Sequence, residues 1–437
     1  MIRNTAETVE NGKPAPKKYI LIFLISVVLI GFATSGYNGQ NTNYNLFIMF
    51  GLWVCTAIII NPRAFFRMFH KKTLIAFSLY ILFFILLSIF SPNLFETAKV
   101  IGSTLVLFSP VLIYLYFIEI EQYNLFKLLV IISILIWVYF CITAIIFYSK
   151  NPSAARMLAS NADAFNNLAI GGGYSLAYGS TIFAIYLFDI CINKCISSKK
   201  LKLLFYIGII IFSVLVIETL STITIIGLFL GFSLVIIFKT IGWVKARKDD
   251  YKGIKIEQLI MGLLLCVILT VLLVNTKNIG SILIKETYSK NDIISLRLQE
   301  VGVKLAYGDQ NVGTGDFDLR MNIFKDTVSK FFKSPIIGNG YKYGFTFYGG
   351  AYEGIGNHEE WIDILAIHGL VGGIPFLLIY IYGAIWEGKY CNKFVSPSWI
   401  FTLFFLGIFN PFKSFQSNFI VFFMLPSIGW LLYKKEK

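Results

Sequence analysis

Residues 128–147 have the sequence LLVIISILIWVYFCITAIIF, with no charged side chain at any position. A run of about 20 apolar residues is what an α-helix needs to cross the hydrocarbon core of a bilayer. Comparable runs recur along the 437-residue chain, of which 57% is hydrophobic and only 14% charged. They predict twelve membrane spans, at residues 19–35, 46–60, 74–90, 100–117, 128–147, 174–192, 203–220, 223–238, 259–274, 362–385, 400–412 and 419–433. We therefore expect an all-α polytopic membrane protein of about twelve transmembrane helices.

The distribution of basic residues gives this protein an orientation. Lysine and arginine concentrate in every second connection, for example Arg63, Arg67, Lys71 and Lys72, whereas residues 36–44 have none. Because cytoplasmic loops of membrane proteins are enriched in these residues, the pattern predicts that both termini are cytoplasmic. The net charge of +14 is explained by this topology and by anionic lipid headgroups, so no nucleic acid partner is expected.

The chain is expected to form a single membrane domain, residues 1–437, because no Pro-, Ser- or Gly-rich linker divides it. Two long connections face outward on the charge argument: a shorter loop at residues 148–173 and a large loop at residues 275–360. Loops of such length usually have a structure or function of their own, and the large loop is predicted to carry the chemistry. All six cysteines fall in predicted spans or on the inner side, so neither a disulfide framework nor a metal site is expected.

The large extracytoplasmic loop is predicted to be partly helical. Residues 318–333, DLRMNIFKDTVSKFFK, are predicted to form an amphipathic helix over the bundle, with Asp318 as N-cap and Ser334-Pro335 as the stop. Its apolar residues recur at roughly helical spacing, at Leu319, Ile323, Val328, Phe331 and Phe332. Residues 337–357 are rich in glycine and aromatics, which suits irregular backbone close to a ligand.

His358 is the most informative single residue. It lies where the large loop re-enters the membrane, followed by Glu359 and Glu360, and an imidazole can transfer protons near neutral pH. The alternative interpretation is a solvated loop histidine beside acidic residues. His368, within the tenth predicted span, is interpreted as a helix-packing residue.

Three arginines are predicted to face outward, namely Arg156, Arg297 and Arg320. A guanidinium offers a planar fork of donors that suits phosphate or pyrophosphate oxygens, although each arginine admits an interpretation as ordinary loop solvation. The aromatics of the large loop, Tyr341 among them, are candidates either for stacking on sugar rings or for the membrane interface.

These motifs resemble the superfamily of O-antigen polymerases and O-antigen ligases of bacterial envelope polysaccharide synthesis. The resemblance rests on Arg320, then SPIIGNGY at residues 334–341, then NHEEWIDILAIHGLVGGIPF at residues 357–376. This series is similar to the family's Arg, Pro-x-x-Gly-x-Gly, His-Asn and Leu-x-x-x-Gly-x-x-Gly motifs. A weaker likeness to capsule and exopolysaccharide polymerases lies upstream, at Arg156 and the GGGY of residues 171–174.

The resemblance implies a metal-independent glycosyltransferase without a cofactor, in the bacterial cytoplasmic membrane. Its substrate would be an undecaprenyl-pyrophosphate-linked oligosaccharide used at the outer face of the bilayer, and its partners would include chain-length regulator and flippase proteins. Arg320 matches the family's loop arginine and His358 its catalytic histidine, while Arg156 is a weaker match for the second arginine.

Two departures from the family pattern bear on the site. The mid-span Ser-Arg of many members is Ser221-Thr222 here, so Arg156 or Arg297 would have to supply that charge. The usual His-Asn is His-Glu, which makes Glu359 a candidate to orient His358 or to share its proton.

Three functions remain open at the level of sequence. The first is an oligosaccharide repeat-unit polymerase, favoured by the GGGY segment, and the second is a ligase that moves the finished glycan to a lipid core or protein. The third is a polysaccharide flippase or other transporter. Transport is disfavoured because the predicted spans have almost no charged residues while polar residues concentrate in an external loop.

Overall fold

The computed structural model describes residues 17–34, 40–90, 94–150, 173–193, 198–219, 221–249, 281, 285, 316–340, 360–385, 395–409, 412 and 414–436. The elements formed by these residues are helical, and no strand occurs among them. In chain order the helices are α1 (Lys18–Thr34), α2 (Gln40–Ile60), α3 (Pro62–Met68), α4 (Lys72–Ser88), α5 (Leu94–Leu107), α6 (Ser109–Glu119), α7 (Tyr123–Lys150), α8 (Gly173–Ile192), α9 (Lys199–Glu218), α10 (Thr222–Asp249), α11 (Asp316–Lys333), α12 (Glu360–Ile385), α13 (Ser398–Phe409), α14 (Phe415–Phe419), a π-helix (Ile420–Met424) and α15 (Leu425–Glu436).

Within the described residues, six helices are long and apolar enough to cross a membrane, or up to eight if each of two bent pairs counts as one span. Three shorter apolar helices, α1, α4 and α13, fall below that length. Each predicted span coincides with one of these apolar elements, except residues 259–274, which lie outside the described residues. The chain is thus a multi-pass helical membrane protein, and the number twelve stays a prediction.

The two bends lie at recognisable sequence signals. Asn61 caps α3 through its side chain, Pro62 begins the helix, and the axis turns by 116° between α2 and α3. The second bend, of 46°, follows Phe108, where Ser109-Pro110 begins α6. Proline fits the first turn of a helix because the amide it lacks would have no intrahelical partner there.

Helix α8 and the C-terminal helix lie at the centre of the bundle. The apolar windows of α8 and of residues 415–434 are 83% and 89% buried, against 17% for α9. The outer helices keep large apolar side chains exposed, among them Ile59, Leu135 and Ile210, as expected of faces in contact with lipid.

Polar contacts join helix ends that the charge pattern assigns to the same side. Lys71 forms an ion pair with Glu119 at 2.9 Å, which joins the connection after α3 to the end of α6. Asp189, near the end of α8, accepts hydrogen bonds from the Ser396 backbone amide and from the Asn193 side chain, both at 2.6 Å. Both contacts fit the predicted alternation of spans.

Candidate functional site

Most of the residues predicted to act in the site lie outside the described residues: His358, Glu359, Arg156, Arg297 and Tyr341. Arg320 lies within α11, and its side chain is outside the described part. The structure therefore describes the scaffold on either side of these residues. Helix α12 begins at Glu360, directly after His358-Glu359, and the described turn after α11 ends at Gly340, directly before Tyr341.

Helix α11 is the amphipathic helix predicted from the sequence, with small differences. It begins at Asp316 rather than at Asp318, so Asp318 falls inside the first turn and is not the N-cap. It ends at Lys333, as Ser334-Pro335 predicted. Phe331 packs against the core, whereas Phe332 is exposed, because adjacent helix positions face different directions.

Helix α12 is broken at Gly369, which has φ 61° and ψ −166°. The tenth predicted span is therefore two helical pieces and not one regular helix. A break of this kind leaves backbone amides and carbonyls without their intrahelical partners, and such groups are costly to leave unpaired in an apolar environment.

The turn that follows α11 supplies those partners. The amide of Leu370 donates to the carbonyl oxygen of Pro335 at 2.8 Å, and the amide of Val371 donates to that of Ile336 at 3.0 Å. In the other direction the amide of Asn339 donates to the carbonyl oxygen of Ala366 at 3.1 Å. Residues 334–340, which we call the docked turn, thus form three backbone hydrogen bonds with α12 at its break.

The docked turn is also fixed to the end of α11. The Asn339 side-chain amide donates to the carbonyl oxygen of Lys330 at 2.9 Å, and the Ser334 hydroxyl donates to that of Gly338 at 2.8 Å. Further up the helix, the Thr327 hydroxyl lies 3.5 Å from the Asp363 carboxylate of α12. Helix α11, the docked turn and the first part of α12 therefore form one interlocked unit.

Two buried carboxylates lie in the first turn of α12. Glu360 and Asp363 are only 6% and 5% exposed. Buried carboxylates need polar neighbours, since the desolvation of a charge is costly, and the Asp363 carboxylate has the Thr327 hydroxyl at 3.5 Å. The sequence placed both acids near His358 but gave no sign that they are buried.

His368 is a buried packing residue of α12, as the sequence interpretation proposed. It is fully buried, its Nε2 lies 3.3 Å from the Tyr80 hydroxyl, and its ring contacts Phe83 and Phe84 edge-on. Its partners come from α4, almost three hundred residues earlier, so no local sequence pattern could have revealed them.

Trp361 fixes the start of α12 against α13. Its indole Nε1 donates to the carbonyl oxygen of Phe404 at 2.8 Å. Its ring lies where a side chain at Gly407 would have to be, so only glycine allows this approach. The residues directly before Trp361, His358 and Glu359 among them, therefore join a well-anchored helix end.

Among the described residues, no three His, Cys, Asp or Glu side chains are grouped so as to hold a metal ion. The described scaffold provides a pair of buried carboxylates, a buried tyrosine–histidine pair, and an interlocked support for α11, which contains Arg320, and for the start of α12, which follows His358 in the sequence.

Comparison with known proteins bears on this same region. A search of the curated proteins found no match. The family model described as O-antigen ligase matches residues 207–377, which include α10, α11, the docked turn and the break in α12. The predicted resemblance is thereby confirmed for this part of the molecule. Residues 207–377 are thus similar to the O-antigen ligase family, and this match supports the superfamily of O-antigen ligases and O-antigen polymerases.

Proposed function

We propose that this protein polymerises undecaprenyl-pyrophosphate-linked oligosaccharide repeat units into a surface polysaccharide, such as a capsule, an exopolysaccharide or O-antigen. The reaction takes place at the outer face of the bacterial cytoplasmic membrane. The observation that carries the proposal is the interlock of α11, the docked turn and α12. It joins the helix that contains Arg320 to the helix that follows His358-Glu359, within the region that matches the family.

The chemistry needs a cation for the leaving group and a base for the nucleophile. The acceptor sugar hydroxyl attacks the anomeric carbon of the donor glycan, the bond from that carbon to the pyrophosphate oxygen breaks, and undecaprenyl pyrophosphate leaves with the bonding electrons. His358 accepts the hydroxyl proton, and Glu359 orients the imidazole or shares the proton. The Arg320 guanidinium stabilises the negative charge that develops on the pyrophosphate.

The remaining predicted residues have supporting roles. Arg156 or Arg297 supplies the second positive charge that other family members place in a middle span, where this chain has Ser221-Thr222. Tyr341, directly after the docked turn, offers an aromatic face to a sugar ring. Flippase and chain-length regulator proteins are the expected partners, because polymerisation requires a supply of lipid-linked units and a control that ends chain growth.

The direct test is substitution of His358 in cells that make the polysaccharide. His358→Ala is expected to leave the protein inserted at normal abundance and to abolish the ladder of extended chains on a glycan gel. The matched control is His70→Ala, since His70 lies among Arg67, Lys71 and Lys72 in a connection that the charge pattern assigns to the cytoplasmic side. Normal chain lengths in His358→Ala would contradict the proposal.

A ligase is the second candidate, because the matching family model is described as O-antigen ligase. The two functions differ in the acceptor. A polymerase-deleted cell accumulates single repeat units on the lipid carrier, whereas a ligase-deleted cell accumulates long chains on that carrier. Deletion of this gene is expected to leave single units.

A further inference from the structure

An exposed apolar strip crosses the junction between the docked turn and α12. It consists of Phe332 at the end of α11, Ile336 and Ile337 in the docked turn, and Leu370, Val371 and Ile374 in α12. Phe332 is 71% exposed and Ile336 is 64% exposed. Because the Ile336 carbonyl accepts the Val371 amide, the two parts of this outer strip adjoin.

The outer strip lies at the level of the outer lipid leaflet in the predicted topology. At about 1.5 Å per residue, α12 would be roughly 39 Å long, some 9 Å more than a hydrocarbon core of about 30 Å. The break at Gly369 is roughly 13 Å along the helix from Glu360. Even if the whole excess projects on the outer side, the break and the attached turn reach the hydrocarbon boundary.

Basic residues accompany the strip at the end of α11. Lys330 and Lys333 lie in the last turn of the helix, and Lys325 is exposed about two turns before its end. The surface thus combines an apolar band with lysines at the adjoining end of α11. A polyprenyl pyrophosphate has the complementary structure, with a long branched apolar chain below a doubly phosphorylated headgroup.

We infer that the outer strip binds isoprene units of the polyprenyl chain of the lipid-linked donor. This inference rests on the proposed function, since Arg320 in the same helix is the proposed ligand of the pyrophosphate. Phe332 follows Arg320 by twelve residues, roughly 18 Å along α11. With the headgroup at Arg320, the chain therefore reaches Phe332, Ile336 and Val371 some isoprene units beyond the pyrophosphate.

The backbone distinguishes this strip from ordinary lipid-facing surface. Elsewhere, exposed apolar residues such as Ile210 in α9, 62% exposed, lie on a regular helix. The outer strip exists only because α12 is broken and a turn fills the break, with both Gly338 and Gly369 at positive φ. Positive φ is readily adopted by glycine, and irregular backbone at membrane depth is tolerated where its polar groups are paired within the protein.

Site-specific photocrosslinking tests the inference in the full-length protein reconstituted in lipid nanodiscs. A benzophenone amino acid is placed at Ile336, or at Ile210 as the matched lipid-facing control. The probe is radiolabelled undecaprenyl pyrophosphate, with unlabelled undecaprenyl pyrophosphate or phosphatidylglycerol as competitor. We expect labelling at Ile336 to fall several-fold with the unlabelled polyprenyl lipid and not with phosphatidylglycerol, while labelling at Ile210 responds equally to both. Equal behaviour of the two positions would mean bulk lipid only and would overturn the inference.

The KM for the lipid-linked donor provides a second test, because a residue that only packs against the protein would not change it. Ile336→Ser is expected to raise the KM for the lipid-linked donor several-fold with little change in kcat, whereas Ile210→Ser leaves both near normal. An unchanged KM in Ile336→Ser would count against the strip.

The two proposals fail in different ways. Specific crosslinking in a protein that neither polymerises nor ligates glycan would preserve the strip and refute the proposed function. Active polymerisation without specific crosslinking or a KM effect would support the proposed function and refute the binding of the polyprenyl chain to the outer strip.

Discussion

The backbones of Gly338 and Gly369 lie against each other where the docked turn meets α12. A Cβ built on Gly338 would lie 2.5 Å from the Gly369 nitrogen, and one built on Gly369 would lie 2.5 Å from the Gly338 nitrogen. Both residues have positive φ, at 72° and 61°, a conformation that other residues adopt only at a cost. Each glycine is thus required twice, for its conformation and for the contact with the other.

A left-handed conformation alone costs a residue other than glycine about 1–2 kcal/mol. We expect Gly369→Ala to destabilise the protein by more than this, because the new methyl group also collides with backbone atoms. Unfolding followed by intrinsic fluorescence in detergent measures the loss. Gly31→Ala is the matched control, since a Cβ there meets nothing within 4 Å and the residue is in a helix interior. Equal stability of the two variants would show that the interlock does not hold the turn.

Arg320→Ala should weaken use of the lipid-linked donor much more than Arg320→Lys, because lysine retains the positive charge. A hydrogen bond to a charged group contributes about 1.5–3 kcal/mol, and the donor KM of the alanine variant should rise by the factor that corresponds to the loss of this free energy. Initial rates at varied donor concentration measure the KM of both variants. Equal losses in both variants would indicate a bidentate contact that only arginine makes, and no loss in either would remove Arg320 from the site.

Asp189→Ala is expected to destabilise the protein by about 1–3 kcal/mol, because the carboxylate accepts hydrogen bonds from the Ser396 amide, just before α13, and from the Asn193 side chain, after α8. Thermal unfolding in detergent measures this change. Asp326→Ala removes an exposed carboxylate of α11 and should stay within about 0.5 kcal/mol of the parent. An Asp189→Ala protein as stable as its parent would show that this network contributes nothing.

The metal-independent mechanism predicts that a chelator leaves transfer intact. Arginine and histidine side chains provide the charge and the base in the proposed reaction, so EDTA should not alter the initial rate. Complete loss of activity in EDTA, restored by a divalent cation, would contradict this part of the mechanism.

The sequence predicted the features that depend on local pattern. Apolar runs located the helices, and Ser334-Pro335 located the end of α11. The break at Gly369 could not be predicted in this way, because the stretch around it is apolar and rich in small residues, as many regular spans are. The helix is broken where a turn some thirty residues earlier in the sequence pairs with it, and this pairing exists only in the folded protein.

The same limit applies to the site. The sequence drew attention to the neighbourhood of His358, where the described scaffold carries Glu360 and Asp363. It gave no indication that Tyr80 of α4 lies beside His368, since only folding brings those residues together. Hydrogen-bond partners from distant helices have no sequence signal without an alignment.

The most direct test is transfer by purified protein in nanodiscs supplied with one defined undecaprenyl-pyrophosphate-linked repeat unit. Mass spectrometry should detect glycans of two or more repeats on the lipid, with one undecaprenyl pyrophosphate released for each new bond, and His358→Ala should give neither product. Absence of lengthened glycan from the parent protein, or undiminished lengthening by His358→Ala, would contradict the account.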